Sequence, residues 1–265
     1  VPQHSTTRAR QENSDERSLR KRFGDGSGIA ADGARSVPVI FSLVQPLILL
    51  ALFGPLLTDV PGLGNGSVWD WFVPGVLAMI TIFGTSMTGS NLLAELQQGS
   101  HERMLVTPLP RSALLVGRAF KEMVPLAAQA VLIVLVALPL GLSVNPIGAA
   151  VGIVLLGVFG VGLGALSYAL ALAVRGQDWV FWSIQQTLMF PLLILSGTML
   201  PLTAAPGWMQ FLVNINPLGY LVDAERALFA GDFASSTVMA GVVAAVATAA
   251  VGLVVGIRAM GSSRE

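Results

Sequence analysis

The chain has 265 residues, 54% of them hydrophobic and 11% charged, and its 15 basic residues are balanced by 15 acidic ones. A soluble domain carries about 25% charged residues. The composition excludes one and points to an all-α polytopic membrane protein, whose helices satisfy their own backbone inside a bilayer. There is no cysteine, which excludes disulfides and thiol chemistry.

Residues 1–36 read as a cytoplasmic tail. Through Arg35 it mixes seven bases with five acids, and glycines stand at 24, 26, 28 and 33. This predicts a largely disordered segment with a short interfacial helix around Ser18–Phe23. No apolar core of a leader occurs in it, so the first span is expected to direct insertion. Thirteen arginines against two lysines, with heavy Ala, Gly and Val usage, suggest a GC-rich bacterial genome.

From 37 to 260 the apolar runs predict a six-helix transmembrane domain, with spans at Val37–Leu57, Phe72–Ala94, Val124–Leu142, Ile147–Val174, Val180–Leu200 and Val238–Ile257. Ala113–Met123 is expected to extend the third as an amphipathic interfacial turn. An even number of spans puts both termini on one side. Fourteen of the fifteen basic residues then share that side, and only Arg226 lies opposite. The positive-inside rule makes it the cytoplasm.

Between the second and third spans, Glu95–Arg111 is a polar island. Ser100 is a candidate N-cap, Glu102 falls in the first turn, and Pro108 restricts Thr107, so a helix of about two turns is expected there. Met104 and Leu105 give it an apolar side. A short capped helix projecting from a membrane domain suits docking into a soluble partner.

Several chemistries are excluded. No Asp, Glu, Lys, Arg or His lies in the middle of a predicted span, which argues against coupling through buried carboxylates. Ser86 and Ser90 lack an imidazole base, because His4 and His101 are both outside the spans. No phosphate-binding Gly-x-x-x-x-Gly-Lys-Ser/Thr loop is present, so energy for active transport must come from another polypeptide.

Mild polarity remains within the spans. Gln45, Thr81, Thr85, Thr88, Asn91, Gln185 and Gln186 form a candidate translocation surface for an amphipathic substrate; interhelical hydrogen bonding is the competing role. Small-residue pairs at Gly148/Gly152, Gly160/Gly164 and Gly252/Gly256 predict close helix packing within the chain.

The connection before the last span, about 201–235, is too apolar for a solvated loop. Two short helices are predicted, Gly207–Ile215 and Gly219–Phe229, in a re-entrant or interfacial outer hairpin. Trp208 and Tyr220 fit headgroup depth, Asn216-Pro217 divides the helices, and Asp223 and Arg226 are spaced to pair. Glu225 is expected to find another partner.

Gln98–Leu109, followed by Arg111, Leu114 and Gly117, resembles the signature of ABC type-2 transporter permeases, Arg-Gly-Thr-x-Glu-Arg-Leu-x-x-Thr-Pro. Gln98 stands where that family has a base, and His101 is atypical of it. Ser196-Gly197, Pro201, Pro206-Gly207-Trp208 and Asn216-Pro217-Leu218 through Asp223-Ala224 are similar to the tail of its daunorubicin-resistance-type drug and lipid exporter subgroup. Gln45-Pro46 is a third likeness.

The resemblance implies a half-channel that pairs with a second permease copy or a paralogous permease, and with separate ABC ATPase subunits. ATP and Mg belong to that ATPase; no catalytic residue, metal or cofactor is expected on this chain, and no nucleic-acid partner. The element at about 95–110 would be the coupling helix, with the ATPase-coupling role on Glu95, Gly99, Glu102, Arg103, Leu105, Thr107, Pro108 and Arg111. The expected function is export of an amphipathic drug or lipid across a bacterial plasma membrane, a role in antibiotic resistance, with membrane lipids as the surroundings. The first, second and fifth spans would line the dimer interface. The alternative is a non-transporting scaffold that recruits a soluble partner through the same helix.

Overall fold

The computed structural model describes residues 44–56, 67–97, 111–174, 177–199, 202 and 205–262. The N-terminal tail with its Ser18–Phe23 helix, and the connection at 98–110, lie outside them. The chain divides into two compact units, residues 1–48 and 49–265; of the first, only 44–48 are described.

The described residues are helical and contain no strand. In chain order the helices are α1 (Val44–Leu56), α2 (Val68–Gln97), α3 (Arg111–Ala137), α4 (Pro146–Ala173), α5 (Asp178–Ile194), α6 (Gly207–Ile215), α7 (Pro217–Phe229) and α8 (Ser236–Ser262), with a 3₁₀ turn at Leu138–Leu140. Four stretches among them are long and apolar enough to cross a bilayer: Val68–Leu96, Met123–Leu140, Pro146–Ala173 and Ser236–Gly261. They correspond to the second, third, fourth and sixth predicted spans. The Ala113–Met123 segment is continuous with the third, inside α3.

The fifth predicted span is shorter than the apolar run suggested. α5 stops at Ile194 rather than Leu200, and its 17 residues reach about 26 Å against a hydrocarbon core of about 30 Å. Side chains end it. Ser196 and Thr198 hydroxyls both donate to the Leu193 carbonyl, at 2.6 and 3.1 Å, and Gly197 takes φ +67°, a turn geometry glycine adopts without Cβ conflict. α1 is described for only 13 residues of its apolar run.

α2 is the central helix. In its most apolar 18 residues 83% are buried, against 22% in the corresponding 18 of α3 and α8, whose outward faces carry Val131, Leu135, Val243 and Val246. Glycines set how closely its neighbours approach. Gly160 of α4 faces Thr81 and Thr85 of α2, and Gly164 faces Thr88. Gly162 and Gly252 bring the α4 and α8 backbones against each other, since a Cβ on either would run into the other helix's main chain. Gly148 and Gly152 receive α7, and Gly241 of α8 receives it from the other side. The predicted packing of Gly148/Gly152 and Gly160/Gly164 within one chain holds, although the two pairs serve different neighbours.

Gly252→Val is expected to destabilise the bundle by about 1–3 kcal/mol through overpacking against Gly162. Gly261→Ala, with open space around it, should leave stability unchanged. Thermal unfolding in detergent checks both.

Candidate functional site

The α2 hydroxyls do not face a shared polar passage. Thr81 donates to Leu77 O at 2.9 Å, Thr85 to Thr81 O at 2.8 Å, and Ser86 to Ile82 O at 2.8 Å. Each hydroxyl is satisfied on its own helix; Thr81 and Thr85 turn their methyls toward Gly160 of α4, while the Ser86 hydroxyl also contacts Met189 Sδ of α5 at 2.9 Å. Thr187 does the same on α5, donating to Ser183 O at 2.7 Å.

Polar contact between helices occurs where α2, α4 and α5 meet. The Ser167 hydroxyl lies 3.2 Å from Ser86 O and 3.4 Å from Gln185 Oε1, while Gln185 Nε2 is buried without a protein partner among the described residues. Thr81, Thr85, Thr88 and Gln185 are buried. Gln45, Asn91 and Gln186 are exposed. The candidate translocation residues therefore divide into a packed set and a surface set.

Beside Thr81, an apolar cavity of about 350 Å³ opens between α2, α3 and α4, walled by Met123, Leu126, Ile153, Gly157 and Val161.

Helices α6 and α7 are organised by one Asn-Pro junction and one arginine. Asn216 caps α7 by accepting from Leu218 N at 3.0 Å, with Pro217 at the first helical position, where its missing N–H is harmless. The same side chain donates from Nδ2 to Leu192 O of α5 at 2.8 Å. This cap is why α7 begins at Pro217 rather than the predicted Gly219. α6 matches its predicted bounds and exposes Trp208, Phe211 and Ile215. Tyr220, at the start of α7, donates its hydroxyl to Asn214 O at 2.7 Å.

Arg226 ties three elements together. Its Nε donates to Trp71 O at 3.1 Å, Nη2 to Gly197 O at 2.8 Å, and Nη1 to Asp223 at 3.1 Å. The guanidinium stacks over the Trp71 ring, 4.3 Å from its centroid, a cation–π contact. Burial pulls the Arg226 pKa down to about 10, with the Asp223 charge and hydrogen bond opposing that shift, so it stays cationic at neutral pH. The predicted Asp223–Arg226 pair is formed. Around it lies a polar cavity of about 580 Å³, lined by Trp71, Ser196, Gln210, Asn214, Tyr220 and Asp223 among others.

Glu225 was expected to be paired. Among the described residues it is not: the side chain is fully buried, and neither carboxylate oxygen has a hydrogen-bond partner there. It points at Gly152, where a Cβ would collide with the carboxyl group. Burial pushes its pKa up to about 8, because α7, outside the four spanning helices, packs it among apolar neighbours. The carboxyl lies in the connection between the fifth and sixth predicted spans, so the absence of charge from the middle of the predicted spans is a separate matter. The sequence did hold the signal: Leu218, Leu221, Val222, Glu225, Leu228 and Phe229 follow helical spacing, so Glu225 falls on the packed face.

Of the candidate coupling residues, Gly99, Glu102, Arg103, Leu105, Thr107 and Pro108 lie outside the described residues. Glu95 is half-buried near the end of α2, and Arg111 opens α3.

A sequence profile of ABC-2 type transporters matches residues 33–230. The chain is 29% identical over 201 residues to a transport permease by name, ycf38 of Cyanophora paradoxa, covering 74% of this chain and 69% of that protein. It is 25% identical over 197 residues to the daunorubicin resistance ABC transporter permease protein DrrB1 of Streptomyces coeruleorubidus, covering 74% and 69%. Over 170 residues it is 26% identical to the "Probable multidrug ABC transporter permease YbhR" of Escherichia coli (strain K12), covering 62% and 45%.

Arg226→Ala removes the partner of the Gly197 carbonyl, the added bond to Trp71 O and the stacking on the Trp71 ring, and is expected to cost about 2 kcal/mol or more. Asp223→Ala should cost less than about 1 kcal/mol, because that carboxylate is 59% exposed and screened by solvent. Asn216→Ala should cost about 1–2 kcal/mol through the lost cap. Melting temperatures of the three variants rank them.

Proposed function

The chain belongs to the ABC-2 type transporter family, and from that premise we propose that it is the membrane-spanning subunit of a bacterial exporter, driven by a separate ABC ATPase, that moves an amphipathic drug- or lipid-like molecule outward. The observation that carries the reading is the family match across residues 33–230, which takes in both the polar connection at 98–110 and the α6–α7 hairpin. Six spans, with α1 and α5 completing the four long helices, put both termini in the cytoplasm beside the basic tail and the Arg103–Arg111 connection.

In this reading ATP binding closes the partner ATPases and moves the 95–110 element, where Glu102, Arg103, Leu105 and Thr107 form the docking surface and Gly99 and Pro108 bound it. The motion passes through α2, which is continuous with that element and enclosed by its neighbours. Two permeases, identical or paralogous, switch between inward- and outward-facing arrangements across α1, α2 and α5. Exposed Trp179, Trp182, Leu188 and Phe190 on α5 support an interface there, since one chain leaves them uncovered.

The hairpin is re-entrant from the outer side. The apolar face of α6 lies against lipid, and α7 is held by its cap and by Arg226. The polar cavity around Trp71 and Tyr220 then lies at the exit. Thr81, Thr85 and Thr88 are buried against α4, so the support for an amphipathic cargo comes from apolar surface rather than from ion ligands. The apolar cavity beside Thr81 has matching chemistry.

Co-purification with the ABC ATPase encoded nearest this gene tests the reading. Wild type should retain it, and Glu102→Ala/Arg103→Ala should weaken the complex about tenfold or more, as expected for residues that dominate a docking surface. A folded wild-type protein that captures no ATPase refutes the exporter reading. ATPase retention without cargo movement in reconstituted vesicles would favour the scaffold instead.

A further inference from the structure

Glu225 is an acid at a position built for a neutral side chain. It sits on the packed face of α7 between Leu221, Val222, Leu228 and Phe229, all buried. The carboxyl group fills the space that Gly152 leaves on α4. No hydrogen-bond donor reaches either oxygen among the described residues.

Among the described residues no counter-charge compensates it. The helices packed against α7 are α8, α4, α2 and α6, and α5 meets its head through Leu192, with its one titratable group, Asp178, at the opposite end of that helix. On α4 the only titratable group is Tyr168, sixteen residues from Gly152 and about 24 Å along the helix. On α8 it is Arg258, seventeen residues beyond Gly241, which itself packs on α7. α6 has none. Asp70 of α2 accepts from Ser143 N at 2.7 Å, and Glu95 is at that helix's other end. On α7 itself, Asp223 and Arg226 pair with each other, and Tyr220 bonds to Asn214 O.

An ionised carboxylate in this position would be buried without compensation, whereas the protonated acid loses far less on desolvation. We propose that Glu225 is a proton-binding site, occupied while α7 is packed on α4 and α8, and that separation of α7 from α4 hydrates the carboxyl and releases the proton to water. The step is a simple dissociation, carboxylic acid to carboxylate plus a proton. The packed arrangement of α7 is therefore stabilised by acid and weakened by base. Binding of the proton needs only the packing of one chain, so its failure would leave the exporter reading intact. Only the link to hairpin opening during transport rests on that reading.

The sign follows from linkage. The packed state holds its proton up to about pH 8, while an exposed carboxyl loses it in the ordinary range near 4.5. Between those limits the ratio of separated to packed α7 rises about tenfold per pH unit.

Two measurements on the full chain in lipid nanodiscs test this. Infrared difference spectra between wild type and Glu225→Gln should show a protonated carboxylic acid band at pH 7 that disappears by about pH 10. Carboxylate bands at pH 7 with no carboxylic acid band would overturn the proposal. Because the protein has no cysteine, Val222→Cys provides a unique buried thiol on α7. Its maleimide labelling rate, divided by that of the same cysteine in the Glu225→Gln background at each pH, should rise steeply from pH 6 to 8. A flat ratio would overturn the coupling of proton release to α7 separation. Glu225→Leu is the second background. It removes the acid and fills the site, so it should fold and show no pH dependence in that ratio, and a dependence that persists there would equally overturn the assignment.

Discussion

Everything in this bundle depends on main chains approaching within side-chain distance where glycines remove the Cβ. Inside lipid there is no hydrophobic gain from pressing one apolar helix onto another, so association relies on dispersion contacts at short range. Gly162 and Gly252 supply that contact between α4 and α8. Gly148, Gly152 and Gly241 supply it around α7. α2 uses the same device outward, with Gly75 against Thr198, Gly84 against Leu126 and Gly89 against Ser167. These small residues turn an apolar chain, which would otherwise slide freely, into one with fixed neighbours.

Polar groups are handled by a second economy. Hydroxyls on α2 and α5 return to their own carbonyls, and Thr81 and Thr85 thereby turn methyls toward α4. Helix ends are completed locally: Asn145 accepts from Ile147 N and Gly148 N at the start of α4, and Asn216 repeats the arrangement at α7. Arg226 satisfies carbonyls at the start of α2 and beyond the end of α5. Glu225 stands apart as the acid with no such provision.

How much of this was legible in the sequence depended on what each feature answers to. α6 and the end of α7 were readable residue by residue, because Asn216-Pro217 and Gly231 are local stop signals. The long apolar helices were readable from their composition. α5 was overextended because its end is set by Ser196 and Thr198 folding back on Leu193, a geometry that hydropathy does not record. For Glu225 the sequence suggested a partner, because charged residues share its short helix, whereas helical spacing places it among leucines. The weakly polar residues looked alike in sequence, and only side-chain direction separates back-bonded Thr85 from the contact between Ser167 and Gln185.

Both ends of α7 are fastened to other helices. Asn216 at its head is bonded to Leu192 O of α5, and the Phe229 carbonyl at its tail is taken by the Asn145 N–H that opens α4. α7 is thus a crossbeam strung between two uprights, and it has no free end about which to swing. Shear between α4 and α5 must twist it, detach one anchor, or carry it along whole. A lever hinged at one end would accommodate such sliding gradually; a beam pinned at both holds until an anchor yields, which makes the hairpin region a threshold element.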